Sequence, residues 1–375
     1  MSELAQVLCH LVPLESEQAL VNASTGDHAA VYALWDGRAL VVTLDFFTPV
    51  VDDPYDFGRV AATNALSDIY AMGAKPLFVL NLLAFPRALL GDGLVEEIIR
   101  GGSDVAREAG VPIMGGHSVD DPEPKYGMVA VGEVEVEELV TNTSAEVGDL
   151  LVLTKALGTG VVATAIKADA ASQAATTAAV ESMTTLNRDA AAAMKRVGVR
   201  AATDVTGFGL LGHLSNMLLQ SGVAAEIEAA NVPVLTGVSE LITAGHIPGG
   251  TRRNLGDLED RLDFGDKDEA TRLILADAQT SGGLLISVAE ERSEELMELL
   301  QSATSVAAII GRVTEGAPGT IKVLCLYTSF LYAAAGFCAG LAFMRGFLFA
   351  VFLFAFPAFS LLSAILITWS KSSTR

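Results

Sequence analysis

The stretch ALVVTLDFFTPVVDDPYDFGRVAATNALSDIYAMG at residues 39–73 decides the fold class of the N-terminal half of this chain. Apolar residues run through its start as far as Asp45, which predicts a strand over 38–47. Apolar residues then recur at helical spacing over 56–72, and the pattern stops at Gly73. A strand followed directly by a helix is typical of an α/β or α+β domain.

The rest of the chain continues this alternation of strands and helices, so we expect α/β (α+β) architecture throughout. Further strands are predicted at 29–35, 77–84, 127–136, 199–203, 283–288 and 305–313, and helices at 2–12, 91–109, 173–197, 209–221 and 290–301. The Gly-rich, charged stretch 245–270 predicts a surface loop region. A fresh strand begins after Gly148, which predicts domains at 1–147 and 148–322 and a separate segment at 323–375.

Composition excludes several classes of protein. The formal charge of -21 and the pI of about 4.5 argue against nucleic acid as a partner. Only Cys9, Cys325 and Cys338 occur and there is no CxxC motif, which excludes a disulfide scaffold and a cysteine-ligated zinc site and indicates a reducing, cytoplasmic location. The first residues lack a basic region followed by a long apolar run, so they do not predict a signal peptide.

The segment 323–369 differs from everything before it. Between Leu324 and Trp369 the only charged residue is Arg345. Because about 20 apolar residues cross a bilayer as a helix, the segment is long enough for a hairpin of two transmembrane helices that tethers a cytoplasmic body to a membrane. Two other interpretations stay open: a buried pair of core helices, or a fused or frameshifted end, which the abrupt change in composition favours.

Three aspartates are the strongest chemical signal. Asp45, Asp68 and Asp204 each sit where an apolar strand or helix gives way to a turn. Asp68 comes one helical turn after Asn64, so the two side chains share a helix face. A buried carboxylate is costly unless a partner such as a cation offsets the cost, and Mg²⁺ typically binds one or two carboxylates together with phosphate oxygens. These residues therefore predict an enzyme that handles ATP.

Other motifs suggest alternative functions, and the residues around them argue against these functions. The pattern G-x-G-x-x-G at 207–212, with Glu228 beyond it, has the spacing of a dinucleotide-binding fingerprint. The carboxylate of Asp204 at the same loop would repel a pyrophosphate unless a metal ion lay between them. No G-x-x-x-x-G-K-[ST] motif and no G-x-S-x-G motif occurs, which excludes a P-loop and argues for phosphate contacts rather than a serine nucleophile in the loops MGGHSVD and QTSGGLL.

Seven stretches of the chain together match one known family. They are TGDHAAVY, TLDFFTPVVDDPYDFGRVAATNALSDIYAMGAKP, GGHSVDDPEPKYG, LTKALGTGV, ATDVTGFGLLGHL, PGGTRRN and DAQTSGGLL, in family order. With them the chain closely resembles selenophosphate synthetase (selenide, water dikinase), of the aminoimidazole-ribonucleotide-synthetase-like superfamily. The resemblance implies two α/β domains and a homodimer with ATP near its interface; the apolar C-terminal tail, which we expect to be helical, lies beyond the part of the chain that it covers. The implied reaction converts selenide, ATP and water to selenophosphate, AMP and phosphate.

The resemblance also assigns roles to individual residues. Asp68 and Asp204 correspond to aspartates that bind Mg²⁺, and Asp68 also faces ATP. Asp45 corresponds to a further ATP-site aspartate. The remaining implied ATP contacts are Thr25, Gly26, Asp27, Gly116, His117 and Ser118.

Two departures from the family pattern bear on activity. The family usually has a second aspartate after Asp27, as a metal ligand, whereas this chain has His28, and imidazole is a poorer Mg²⁺ ligand than carboxylate. The family also carries a glycine-rich N-terminal segment with a catalytic cysteine or selenocysteine and then a lysine. Cys9 does not match that position, and we expect the segment to be encoded upstream of Met1. The alternative is a non-catalytic nucleotide-binding homologue, or a partner subunit tethered at a membrane.

Overall fold

The computed structural model describes residues 16–22 and 27–324, all within one compact unit. The strands are β1 (Ala19–Val21), β2 (Ala30–Ala33), β3 (Arg38–Phe47), β4 (Lys75–Phe85), β5 (Ile113–Asp120), β6 (Lys125–Glu135), β7 (Leu150–Leu153), β8 (Ala201–Asp204), β9 (Ala224–Glu228), β10 (Leu262–Asp263), β11 (Leu284–Val288), β12 (Ala308–Thr314) and β13 (Ile321–Leu324). The α-helices are α1 (Pro54–Ala71), α2 (Leu94–Ala109), α3 (Thr159–Lys167), α4 (Gln173–Thr184), α5 (Arg188–Val197), α6 (Gly209–Ser221), α7 (Val238–Thr243), α8 (Gly249–Asp257), α9 (Glu269–Leu275) and α10 (Glu290–Ala303).

Two mixed sheets organise the described residues. The first has the order β1-β2-β3-β6-β4-β5 and the second has the order β10-β13-β9-β12-β7-β11-β8. Strands and helices alternate in both halves, which confirms the predicted α/β (α+β) class. The sheets come from separate stretches, 19–135 and 150–324. The domain limits at 147 and 148 stay a prediction.

Helix α1 is the central helix of the N-terminal half and carries two of the site residues. Asp53 caps its N-terminus by accepting a hydrogen bond from Asp56 N, and Pro54 begins the helix. The helix packs across β3 and β6 and against α2. Its contact with α2 is backbone to backbone, because a Cβ at Gly58 would lie 1.9 Å from Ile98 O and a Cβ at Gly101 would lie 2.0 Å from Tyr55 O.

We therefore expect Gly58→Ala to lower the free energy of unfolding by about 1–3 kcal/mol or more, because the added methyl meets backbone that cannot rotate away. The midpoint of urea unfolding measures this. Gly256→Ala in α8 is the matched control, since no atom lies within 4 Å of its Cβ position and alanine is the better helix former. Equal losses in the two variants would contradict this account of the α1–α2 contact.

The structure corrects three local predictions. The single helix predicted at 173–197 is two helices, α4 and α5; the hydroxyls of Thr184 and Thr185 donate to the carbonyls of Val180 and Glu181, which offers the backbone an alternative to continuing the helix. The loop region predicted at 245–270 contains α8 and the start of α9. The buried residues of α8 are the polar Thr251 and Asn254, so apolar periodicity does not show this helix.

The third correction concerns the glycine-rich segment around His117. It is the edge strand β5, paired in parallel with β4, rather than a loop. Its glycines conceal the strand, since glycine is depleted in strands generally.

Several predictions fall on residues outside the described ranges. The helix predicted at 2–12, Cys9, Thr25, Gly26 and the hairpin of the apolar tail belong to this group. Among the residues that the structure describes, no helix has both the length and the apolar character needed to cross a bilayer.

Candidate metal and nucleotide site

Asp68 lies in the last turn of α1 and is buried. Its Oδ2 accepts a hydrogen bond of 2.5 Å from the hydroxyl of Thr43, which lies on β3. Thr43 and Asp45 are two residues apart on that strand, so they face the same side of the sheet, toward α1. The strand and the helix that follow each other in sequence thus bring their polar residues together.

Asp204 is the last residue of β8 and is fully buried. Its Oδ1 lies 2.9 Å from Nδ1 of His28. The imidazole of His28 and the hydroxyl of Ser67 both favour the ionised form of this carboxylate. A buried carboxylate is costly without a partner, and the imidazole of His28 is the nearest group that can carry a positive charge.

His28 completes the cluster. Its Nδ1 lies 3.7 Å from Asp68 Oδ1, and one ligand atom each from His28, Asp68 and Asp204 lies within 4.8 Å of the others. Its Nε2 contacts the hydroxyl of Thr203, and its ring stacks on that of His213 at 5.7 Å between centroids. The cluster therefore joins three parts of the chain that are distant in sequence.

The charges of these groups depend on one another. Burial alone would lower the pKa of His28, but the charges of Asp204, Asp68 and Asp27 outweigh it and raise the pKa to about 9. Burial raises the pKa of Asp68 well above its usual range, and the charge of Asp204 raises it further. Burial also opposes ionisation of Asp204, but the charge of His28 outweighs it and holds that pKa below its usual range. Asp204 is thus the permanent anion of the cluster.

His213 lies behind His28 and is neutral. Burial lowers its pKa to about 3, and the charge of His28 lowers it further. Its Nε2 accepts a hydrogen bond of 3.1 Å from Thr206 N. This residue packs the cluster from the side of α6.

Asp45 joins the site through Asn64. Asn64 Nδ2 donates a hydrogen bond of 2.5 Å to Asp45 Oδ2, and Asn64 Oδ1 accepts one of 2.8 Å from Ser281 N. Burial raises the pKa of Asp45 to about 6, and the charge of Asp204 adds to the shift. Asp45 lies within β3, two residues before that strand ends, rather than at its end as predicted.

The structure does not bring every predicted residue to this cluster. Asp45 pairs with Met128, Met128 with Asn81, and Asn81 with Gly116, along one row across four strands. Since neighbouring strands lie about 4.8 Å apart, Gly116 is about 14 Å from Asp45. His117 and Ser118 follow Gly116 on the same edge strand.

Asp27 faces the backbone rather than the cluster. Its two carboxylate oxygens accept hydrogen bonds from His28 N at 3.0 Å and from Asn142 N at 3.2 Å. Burial raises its pKa. Asp27 thus holds the chain in the position that directs His28 inward.

Some residues of the site carry no clear signal in the sequence. Lys155 is buried, and its Nζ donates to Ser281 O at 2.8 Å and to Thr185 O at 2.7 Å. Burial lowers its pKa to about 7, against an opposing contribution from Asp204. Ser281 has a φ of 48°, unusual for a residue other than glycine. Thr203, whose hydroxyl contacts His28, is a further such residue. Its position directly before Asp204 is the one sequence signal that could have indicated this contact.

The glycines of the pattern at 207–212 serve packing. Gly209 has a φ of 69°, and a Cβ there would lie 2.6 Å from Ala276 O. Asn254 Nδ2 donates to Gly207 O and to Ala276 O, so protein groups occupy this turn. The dinucleotide interpretation has no geometric support here.

The donor set can be compared with the needs of a divalent cation. The two buried carboxylates of Asp68 and Asp204 fit a cation bound to phosphates. The imidazole nitrogen of His28 does not suit Mg²⁺, which prefers oxygen ligands.

Two family models match the chain. The AIR synthase related protein, N-terminal domain, matches residues 26–134. The AIR synthase related protein, C-terminal domain, matches residues 146–323.

Curated and solved relatives agree with this match. The chain is 50% identical over 321 residues to a selenide, water dikinase of Carboxydothermus hydrogenoformans, covering 85% of this chain and 93% of that protein. It is 49% identical over 313 residues to one of Caldanaerobacter subterraneus subsp. tengcongensis, covering 83% and 90%. A crystal structure of the hydrogenase maturation protein HypE in complex with ATP has the same fold, with a TM-score of 0.58, 20% identity, and coverage of 86% of this chain and 91% of HypE.

Proposed function

Given that this chain belongs to the selenide, water dikinase family of AIR synthase related proteins, we propose that the His28–Asp68–Asp204 cluster is where it handles ATP during selenophosphate synthesis. The reaction consumes selenide, ATP and water and yields selenophosphate, AMP and phosphate. One observation carries the assignment of the site: the fully buried carboxylate of Asp204 lies together with ligand atoms of Asp68 and His28, all within 4.8 Å of one another. Such a carboxylate calls for a cation, and ATP brings one.

The roles of the residues follow from their contacts. Asp68 and Asp204 would hold the divalent cation, which when bound offsets the charge of the phosphate oxygens. Thr43 orients Asp68 by donating to its Oδ2. Asn64 orients Asp45 and at the same time holds the turn at Ser281. These contacts keep the carboxylates in place without requiring them to reorganise when ATP binds.

A second copy of this chain would complete the nucleotide site. The face of the first sheet that points away from α1 is apolar and exposed along β3, where Val42, Leu44 and Phe46 are 37%, 55% and 48% exposed. We define the outer face as these three residues together with Tyr32. Tyr32 pairs with Leu40, which lies on the same side of β3 as Val42, Leu44 and Phe46. Apolar surface of this kind on a sheet marks an interaction site, and a two-fold interface needs only a self-complementary patch.

The position of His117 agrees with a dimer. His117 pairs with Leu82 of β4, which pairs with Gly127 of β6, which pairs with Phe46 of β3. His117 is therefore in register with the outer face, about 14 Å across the sheet from β3. In a dimer through this face, the segment 116–118 reaches the partner's nucleotide rather than its own.

Phosphorus NMR on the gene product that contains this chain tests the function. With ATP, Mg²⁺ or Mn²⁺, and selenide, we expect a selenophosphate signal with AMP and phosphate in equal amounts. Without selenide, or with sulfide in its place, the selenophosphate signal should be absent. Formation of ADP, or ATP consumption that does not depend on selenide, would contradict the proposal.

A further inference from the structure

His28 lies among carboxylates that are expected to bind a cation. Its ring is almost fully buried, and its Nδ1 points at Asp204 Oδ1 and Asp68 Oδ1 at 2.9 and 3.7 Å. The resemblance described above places a carboxylate, not an imidazole, at this position. We propose that His28 is itself a ligand through Nδ1, and that the site prefers Mn²⁺ to Mg²⁺. This inference rests on the proposed function, because it concerns the cation of the same site.

The hydrogen bonds around His28 fix which nitrogen faces the cation. The hydroxyl of Thr203 contacts Nε2 and donates its own proton to the backbone carbonyl of Asp204 at 3.1 Å. Because a hydroxyl has one proton to donate, it must accept from Nε2–H. A metal ion would replace the proton that Nδ1 carries when the ring is charged, and would bind the nitrogen that faces the two carboxylates. A ligating histidine usually has its other ring N–H held in this way.

The spacing of the donor atoms suits a common ion. Ligands at about 2.1 Å from one octahedral ion lie about 3 Å apart when they are neighbours, which matches the 2.9 Å between His28 Nδ1 and Asp204 Oδ1. Asp68 Oδ1 lies 3.7 Å from the same nitrogen. The three donor atoms lie within 4.8 Å of one another, so they border one common volume.

The chemistry of the donors selects the ion. A carboxylate in place of His28 would give three anionic ligands, whereas a neutral imidazole leaves two. Mg²⁺ gives up its water reluctantly and favours anionic oxygen. Mn²⁺ accepts carboxylate and phosphate oxygens as Mg²⁺ does. Although Mn²⁺ is the weakest-binding of the first-row divalent ions, it is a softer ion than Mg²⁺ and accepts an imidazole nitrogen more readily. His28 therefore weakens the Mg²⁺ site and retains the Mn²⁺ site.

Pulsed EPR on the full chain loaded with Mn²⁺ alone tests the ligand directly. We expect ¹⁴N coupling from a coordinated imidazole in the unaltered protein and none in His28→Asp. In parallel, competition titration should show that the ratio of Mn²⁺ to Mg²⁺ affinity falls at least about tenfold in His28→Asp. Thr203→Val should retain the ¹⁴N coupling but bind Mn²⁺ about 10–100-fold more weakly, because His28 loses the group that orients it.

The outcomes separate this inference from the proposed function. Mn²⁺ binding that requires Asp204 but shows no ¹⁴N coupling would overturn the role of His28 and leave the site intact. An unchanged ratio of affinities in His28→Asp would overturn the preference for Mn²⁺. Mn²⁺ binding that persists in Asp204→Asn would overturn the site itself, and the inference with it. Coupling lost in His28→Asp cannot come from His213, whose Nε2 already accepts Thr206 N.

Discussion

Asp204→Asn is expected to reduce binding of the divalent cation with ATP by at least about 100-fold, more than the loss of a residue that only orients a ligand. The amide keeps the volume of the side chain but removes the permanent anion of the cluster. Asp68→Asn is expected to lose a similar factor, because Asp68 contributes the second carboxylate. Calorimetric titration of the full chain with the metal·nucleotide complex measures both. Asp92→Asn, at an exposed loop position, is the matched control.

Thermal unfolding separates loss of the site from loss of the fold. Without metal, Asp68→Asn should be at least as stable as the unaltered protein, since the change removes repulsion between two buried carboxylates. A cation at 100 times its Kd stabilises a protein by about 2.7 kcal/mol, and this gain should vanish in the variant. Unchanged affinity in both Asp68→Asn and Asp204→Asn would remove the basis for the assigned site.

Leu44→Glu is expected to convert a dimer of this chain to a monomer. Leu44 is the most exposed of the three apolar β3 residues on the outer face, and a two-fold interface through this face would bury one such glutamate from each subunit. Burying these charges without partners opposes association strongly. Analytical ultracentrifugation measures the change. Nucleotide affinity should fall with it, because the segment 116–118 is proposed to contact the nucleotide of the partner subunit.

Leu219→Glu is the control for that experiment. Leu219 is 40% exposed and lies on α6, away from the outer face, so the same substitution there should leave the dimer intact. A monomeric unaltered protein, or a dimer that survives Leu44→Glu, would refute the use of the outer face.

The sequence predicted most of the strands and helices of this molecule, and part of its site. Helix α6 has the predicted bounds, because its apolar residues recur at 3.6-residue spacing and Gly222 ends it in a left-handed conformation. The proximity of Asp68 to Asp204 was also predicted, although only through the resemblance. Spacing alone carries no information on contacts between residues so far apart in the chain.

The parts that could not be predicted depend on such distant contacts. His28 appears in the sequence as a poor substitute for a carboxylate, and only the structure shows Thr203 behind it. Lys155 reads as an ordinary polar residue after a strand, yet it is buried among backbone carbonyls. The strand at 113–120 is hidden by its glycines, and pairing with β4 supplies what local preference lacks.

Asn64 has a consequence for how this sequence can change over generations. Its side-chain amide donates a hydrogen bond to Asp45 and accepts one from Ser281 N, so it links two different halves of the chain. Aspartate at this position would face Asp45 with a like charge, leucine would satisfy neither partner, and glutamine is longer by a methylene. A substitution of this residue would therefore disturb two halves of the chain at once, and lineages that keep the activity should retain asparagine at this position.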